Sequence, residues 1–447
     1  MGLRSLLSDH RFVLSVIALV VLLLKLAIIQ VPTPDLQPSE CYEAKEGCGF
    51  IFDEAHYVPA VRKMISGLPT NNEHPPLTKW LMILGISIFG DGPLGWRIIP
   101  VLTGSMNVFL VGMIAFALTR RRGAAYVSSV LYGTDVTTFN ISSMGILDTP
   151  SYTFLLLTVL LVLKGRTVLP SITLGLAMLC KMSALFGGIG LMLLAFLDEL
   201  SRGGGTRKRF NRALDRVAIM SLLTSAVFVA GIAAYDFYYR AYPTPFAHID
   251  FMMNYHSSLR FNCVEWNGPI SCTHYDDGGW VKVELPLGWS IPGLSAERVP
   301  YYVVTVEVDG EVQHPVAYYG ISGPLWWVTW GVFASCVIGS IRAIIRIVRG
   351  GPIGESRAEI FVFIWIVTNY MPYFGLAYLL QRWVFSFYFV QTLPSIAIGL
   401  AALFNYPRFA LYTVYFLMAV QLAWFTIWFP VKPEPLIELL RLVRLPV

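Results

Sequence analysis

The chain has 447 residues, 55% of them hydrophobic and only 14% charged, with a mean hydropathy of +0.61. Soluble globular proteins carry roughly 25% charged residues, so this composition argues against a soluble enzyme and predicts many membrane spans. The formal charge of +5 is scattered over loops between apolar runs, which argues against a nucleic-acid partner and for a topological role.

The first element is the apolar run FVLSVIALVVLLLKLAIIQV behind MGLRSLLSDHR. It is about the 20 residues a spanning helix needs, and no small-residue cleavage site follows, so a retained signal anchor is expected. A polar loop from about Pro32 to Gly95 comes next. It should hold two short interfacial helices, His56 to Ser66 and Leu77 to Phe89. Spans are then expected near Trp96–Leu118, Ala124–Phe139, Pro150–Leu163, Val168–Cys180, Ala184–Leu197 and Val217–Tyr235. A second polar stretch runs from Asp236 to about Gly323, and four more spans follow near Leu325–Ile341, Ile360–Leu380, Val384–Phe404 and Phe409–Phe429.

With the N-terminus in the cytoplasm, the basic residues of every short loop fall inside, among them Arg120–Arg122, Lys164, Arg166, Arg207–Arg209, Arg342, Arg346, Arg349 and Arg408. The two acid-rich loops fall outside. This positive-inside pattern predicts about eleven spans. Three blocks result: 1–235, a membrane module with an external loop at about 32–95; 236–323, an external loop; and 324–447, a second membrane module. In the second loop, WVKVELPLGW and YYVVTVEVDGEVQHPVAYYG alternate apolar and polar residues around Asp309-Gly310, which reads as a β-hairpin. The fold class is an all-α polytopic membrane protein with a small β-rich external loop. No internal repeat suggests a transporter of duplicated halves.

Of six cysteines, Cys180 and Cys336 lie in apolar runs and read as core residues. Cys41 and Cys48, and Cys263 and Cys272, form two close pairs in the external loops, and predict two disulfides in an oxidising compartment. Zinc is the alternative, but neither pair has the short spacing of a structural zinc site.

Polar residues near the outer ends of spans form one set: Asp53, Glu54, His74, Lys79, Arg97, Asp135, Asp148, Lys181, His256 and Arg382. Ionisable groups at membrane depth are costly and tend to mark function. Each also has a plainer reading. Asp53 and Glu54 could cap and charge the helix that starts at Ala55; Lys79 and Arg97 could snorkel; Asp148 before Thr149-Pro150 looks like an N-cap; Arg382 could anchor a helix end.

FDEAHYVPAV, EHPPLTKWLMILGISIFG and GWRIIPVLTG resemble, in order and spacing, the N-terminal region of the protein O-mannosyltransferase family. SSMGILDTPSYTF, LCKMSALF, PFAHIDFMMNYHSSL and QRWVFSFYFVQTLP resemble later segments. Phe387-Tyr388-Phe389 stands where that family has Tyr-His-Tyr, and its carbohydrate-binding-like MIR domain is missing, as suits a prokaryotic-type member. The resemblance implies a GT-C glycosyltransferase. Such an enzyme moves mannose from a polyprenyl (dolichyl) phosphate to Ser/Thr hydroxyls of proteins on the non-cytoplasmic face, with inversion.

On that reading Asp53 is the base, with Glu54 sharing or orienting. Arg97, Lys79, Lys181 and Arg382 hold the donor phosphate, and His74, Asp148 and His256 contact sugar or acceptor. Asp53, Glu54 and Asp148 could ligate Mg²⁺ or Mn²⁺, although a cationic phosphate clamp makes a metal dispensable. Expected partners are the lipid-linked donor, a Ser/Thr-containing protein, the bilayer, and a second subunit in a homo- or heterodimer. The membrane is the cell membrane, or the ER membrane in a eukaryote. The rival readings are a glycolipid-modifying relative of the aminoarabinose transferases and a transporter or lipid flippase.

Overall fold

The computed structural model describes residues 9–276, 279–292, 298–308, 310–351, 356–402 and 408–445. The chain begins with α1 (His10–Ile28), α2 (Glu54–Ile65), α3 (Leu77–Phe89), α4 (Pro93–Thr119), α5 (Arg122–Gly133), α6 (Val136–Ile141), α7 (Asp148–Leu163), α8 (Val168–Cys180), α9 (Ala184–Leu200) and α10 (Thr206–Tyr239). Short elements follow: α11 (Pro245–Ser258), β1 (Cys263–Trp266), β2 (Ser271–Asp276), β3 (Gly279–Glu284), β4 (Val299–Val308) and β5 (Glu311–Gly320). The chain ends with α12 (Thr329–Val348), α13 (Arg357–Asn369), α14 (Leu393–Ala402), α15 (Arg408–Ile427) and α16 (Glu434–Leu442).

Among the described residues, five helical stretches are long and apolar enough to cross a membrane: α1, α4, α10, α12 and Arg357–Leu379. Shorter apolar helices supplement them, including α3, α7, α8, α14 and Leu411–Ile427. Two expected spans are interrupted. Ala124–Phe139 breaks where Asp135 turns its carboxylate back to cap α6, accepting from Thr138 N at 2.9 Å. The Val384–Phe404 span starts as extended chain and a 3₁₀ turn, Ser386–Gln391, before α14 begins, and residues 403–404 lie outside the described set. That interruption puts Phe387 and Tyr388 at the mouth of the bundle.

α4 is the hub, packed against α1, α3, α5 and α7. The turn back from α3 uses Gly90 at φ +85°, and the helices then meet backbone to backbone. A Cβ on Gly85 would lie 2.4 Å from the carbonyl oxygen of Gly95, so α3 can lie on α4 only with glycine there. Asp198 and Glu199 of α9 pair with Arg216 of α10, and Asp198 also pairs with Arg357 of α13.

The strand-bearing stretch divides differently from the hydrophobic alternation. β1, β2 and β3 make one antiparallel sheet, whereas β4 and β5 make a separate hairpin. WVKVE is therefore β3, paired with β2 rather than with the hairpin, and PLGW is a helical turn. Val308 pairs with Glu311 across the hairpin turn, and Asp309 lies outside the described residues. Both expected disulfides are present, Cys41–Cys48 and Cys263–Cys272, while Cys180 and Cys336 are free and buried.

The hairpin is built into the body. Tyr318 donates to Val31 O at 2.9 Å, Asn140 donates to Tyr319 O at 2.9 Å, and Phe52 N donates to Tyr301 O at 3.2 Å. Phe52 has φ +50°, a strained value for an aromatic residue. The strand bond and the ring contact with Tyr301 (centroids 4.5 Å apart) hold this residue in the turn immediately before Asp53.

Candidate active site

The adjacent acids at the head of α2 do different things. Glu54 is fully buried beside fully buried Arg97. Its Oε1 accepts from Arg97 Nε at 2.8 Å and its Oε2 from Arg97 Nη2 at 2.8 Å. Ile51 N (2.9 Å) and Gly145 N (2.6 Å) donate to the same carboxylate. Gly145 is glycine for room, since a Cβ there would lie 3.2 Å from Trp96 O and 3.4 Å from Glu54 Oε1.

Arg97 spends its remaining N–H groups on Ile29 O, Val31 O and Gly49 O, at 3.0, 3.1 and 2.9 Å. All five guanidinium donors are thus engaged inside the protein. The expected phosphate role for Arg97 and acid–base role for Glu54 give way to a structural one. The pair ties the end of α1, the first loop, α2 and α4 into a single frame.

Asp53 sits at the N-cap position of α2, but its side chain makes no capping hydrogen bond. The helix-capping reading therefore does not account for it. Its carboxylate is hydrogen-bonded by Tyr57, one helical turn on, and burial pushes it up to about 6 against the opposing pull of Lys181. Asp148 adds in the raising direction. A half-shielded carboxylate with that setting is suited to accept a proton near neutral pH.

Across from it, Asp148 opens α7 and Lys181 follows α8. Lys181 Nζ is 2.6 Å from Asp148 Oδ1, which also accepts from Tyr152 at 3.0 Å. Asp148 Oδ2 is buried without a partner. Phe387 and Tyr388 close over the lysine, with ring centroids 5.3 and 4.8 Å from Nζ, a cation–π cup. Lys181, Arg382, Asp148 and Asp53 all act electrostatically on the buried Tyr388 hydroxyl, which marks them as neighbours.

Arg382 donates from Nε to His256 O at 2.9 Å and from Nη1 to Trp383 O at 2.6 Å, and its Nη2 lies 3.2 Å from His256 Nδ1. Since arginine only donates, His256 Nδ1 is the acceptor. His256 Nε2 then donates to Glu73 O at 3.0 Å. Burial first, then Arg382, pushes His256 down to about 4. His74 lies with its ring 5.2 Å from that of His256 and 5.7 Å from Tyr57. Burial and the surrounding His256, Lys79, Lys181 and Arg382 hold it well below the usual histidine value. Both histidines are neutral at pH 7. Lys79 is fully buried, and its ammonium goes to the loop carbonyls of Asn71 (2.6 Å) and His74 (3.0 Å), not to the open site.

Of the expected set, Asp53, Asp148, Lys181, Arg382, His74 and His256 thus gather, whereas Glu54, Arg97 and Lys79 build the frame. Sequence reasoning missed Tyr57, whose signal was its i+4 spacing from Asp53. It treated Phe387 and Tyr388 only as a departure from a family pattern. Among the described residues no three His, Cys, Asp or Glu side chains converge to hold a metal. The Asp53–Glu54–Asp148 ligand set does not fit one, because Glu54 is consumed by Arg97.

Residues 73–230 match the family described as dolichyl-phosphate-mannose-protein mannosyltransferase. Over that stretch the chain is similar to the protein O-mannosyltransferases. A polyprenol-phosphate-mannose–protein mannosyltransferase of Corynebacterium glutamicum is 33% identical over 111 residues, covering 22% of this chain and 21% of that protein. One from Mycobacterium tuberculosis H37Rv is 32% identical over 105 residues, covering 22% and 20%. The matched region is thus about a fifth of those relatives' length.

The Saccharomyces cerevisiae protein O-mannosyltransferase Pmt1–Pmt2 complex, bound to its sugar donor, superposes with a TM-score of 0.60. The identity is 13%, and 94% of this chain and 90% of that chain are covered. ArnT from Cupriavidus metallidurans, bound to undecaprenyl phosphate, gives 0.51 at 14% identity, covering 91% and 62%. The fold is GT-C, in a multi-pass membrane protein.

Proposed function

We propose that the chain transfers mannose from a polyprenyl-phosphate carrier to a Ser or Thr hydroxyl of a protein, by a single inverting displacement. The observation that carries this is the Asp53 carboxylate, which caps no helix and feels the charge of Lys181, with Arg382 on a separate element acting on the same Tyr388 hydroxyl. A hydroxyl is a poor nucleophile at neutral pH, so a placed base is needed. Asp53 takes the hydroxyl proton as its oxygen attacks C1 of the sugar. The bond from C1 to the phosphate oxygen breaks, and the departing lipid phosphate takes the bonding electrons. Lys181 and Arg382 meet the charge that grows on it.

Arg382 suits this part because two of its five N–H groups are not used by its three bonds in the protein. Asp148 holds Lys181 in place, and its free Oδ2 can accept from a sugar hydroxyl. Neutral His74 and His256 offer polar edges without competing for the acceptor proton. The relatives named as protein mannosyltransferases support the acceptor class. The distribution of basic loop residues supports a cytoplasmic N-terminus and a site on the external face.

The test is transfer in membranes containing the chain, given polyprenyl-phosphate carrying tritiated mannose and a Ser/Thr-rich peptide. Label in the peptide is expected. Label in a lipid fraction alone would favour the glycolipid-modifying reading, and no transfer to either would overturn the proposal.

A further inference from the structure

The β4–β5 hairpin touches the turn that carries Asp53, and its ladder is irregular in two places. Pro300 pairs with Tyr319 and Tyr302 with Tyr318, so Tyr301 is an extra residue on β4, a bulge. Val304 pairs with Val316 and Val306 with Gln313, so β5 is the longer strand at the second irregularity, where Pro315 sits. Each irregularity lends a backbone carbonyl to another part of the chain. Tyr301 O accepts from Phe52 N at 3.2 Å, and Pro315 O accepts from Lys432 N at 2.8 Å.

The hairpin is held by both ends of the chain. From the segment after α15, Pro430 O accepts from Ala317 N at 2.7 Å, and Val431 bridges to Val316. From the N-terminal helices, Val31 O accepts from Tyr318 as well as from Arg97, and Asn140 donates to Tyr319 O. β5 is therefore tied to the same frame that fixes Glu54.

Tyr301 is buried, yet its hydroxyl has no hydrogen-bond partner among the described residues. The charges of Asp53, Asp148 and Asp135 reach that hydroxyl. Residue 320 is glycine for room, since a Cβ there would collide with the Tyr301 side chain. The Phe52 ring lies 4.5 Å from the ring of Tyr301 and 5.3 Å from that of Phe387, which covers the Lys181 ammonium. Phe52 thus stands between the hairpin and the lysine cup. Its backbone, at φ +50°, needs outside support, and Asp53 is the next residue.

We infer that Tyr301 is a positioning residue for the proposed base: the bulge presents its carbonyl and ring to Phe52 and so sets how the Asp53 carboxylate is aimed. The inference deepens the transfer reaction proposed above and rests on it only for the kinetic readout. Deleting the extra residue would leave the strand pairs on either side in register while removing both contacts with Phe52. The hydroxyl carries neither contact, which separates a role for ring and backbone from direct contact with the reactants.

Hydrogen–deuterium exchange of peptides spanning 50–57 reads the turn without any substrate, and peptides spanning 311–320 report on the hairpin. In Tyr301→Ala the Phe52 amide should exchange faster than native while the hairpin stays protected. In Tyr301→Phe both should match native. Deletion of Tyr301, which removes the carbonyl as well as the ring, should free the turn further.

In the peptide-transfer assay Tyr301→Ala should lower kcat by about 10–100-fold, as a displaced catalytic group does. Donor KM should change little, because Lys181 keeps its Asp148 partner, and Tyr301→Phe should restore the native rate. Native exchange over 50–57 in both Tyr301→Ala and the deletion would overturn the inference. So would a Tyr301→Phe protein as slow as Tyr301→Ala, since the hydroxyl would then be the working group. A native chain that transfers nothing but shows the exchange pattern would count against the reaction and support the positioning role.

Discussion

Asp53 and Glu54 are adjacent carboxylates, yet replacing each by its amide should give opposite phenotypes. Asp53→Asn removes the proposed base and nothing that holds the fold, because the side chain makes no cap and its ionised form is opposed by burial. Transfer should fall by about 10²–10⁴-fold, the usual worth of a placed acid–base group, with the melting temperature in detergent at or above native. Glu54→Gln should do the reverse. Four donors converge on Glu54: two from Arg97, with Ile51 N and Gly145 N. A glutamine offers one acceptor oxygen and turns an NH₂ toward two of those donors.

The Arg97 charge is then buried without its counter-ion, which costs about 3–5 kcal/mol when a buried pair is broken. A fall of several degrees in melting temperature, and poor yield of folded protein, are expected. The assay pairs thermal unfolding with peptide transfer on the same preparations. A Glu54→Gln protein as stable as native but inactive would refute the division, and so would an Asp53→Asn protein that still transfers sugar.

The pH profile should have an acidic limb set by Asp53. A base must be ionised, its value is pushed up to about 6 by burial, and the rate should therefore fall as pH drops through about 6; a rate flat to pH 4.5 would exclude it. Lys181→Met and Arg382→Lys should each lower kcat/KM for the donor by roughly 10–100-fold, measured with acceptor saturating, whereas acceptor KM should move little. Lys181→Arg should recover part of the loss. Joint replacement of Cys41 and Cys48 by serine should destabilise the loop between α1 and α2 by about 2–4 kcal/mol, with the contact of Arg62 Nη1 to Cys41 O at 2.7 Å, made while Arg62 pairs with Asp91, loosened along with it. Thermal unfolding under non-reducing conditions checks it.

The class of protein was legible without a structure because membrane spans announce themselves by composition. Nothing but helix or closed barrel can satisfy a backbone in lipid. The two disulfides were legible as well, because each pair is close along the chain and lies between apolar runs. Ionisable residues near span ends could also be picked out, since charge at membrane depth is costly enough to be placed for a reason. Asp148, Lys181, His256 and Arg382 come from four separated segments and do meet.

Which of these charges is free was beyond the sequence. Asp53 and Glu54 have the same chemistry and adjacent positions, and only the approach of α4 decides that Arg97 saturates one and leaves the other. Lys79 and Lys181 read alike as buried cations. One turns toward carbonyls of its own loop, the other toward a carboxylate and two aromatic rings contributed from some 200 residues away. A side chain's partner depends on distances set by helix packing, and hydrogen-bonding capacity is finite. Composition and spacing determined where charge collects; tertiary contact alone decided which charges remain to do chemistry.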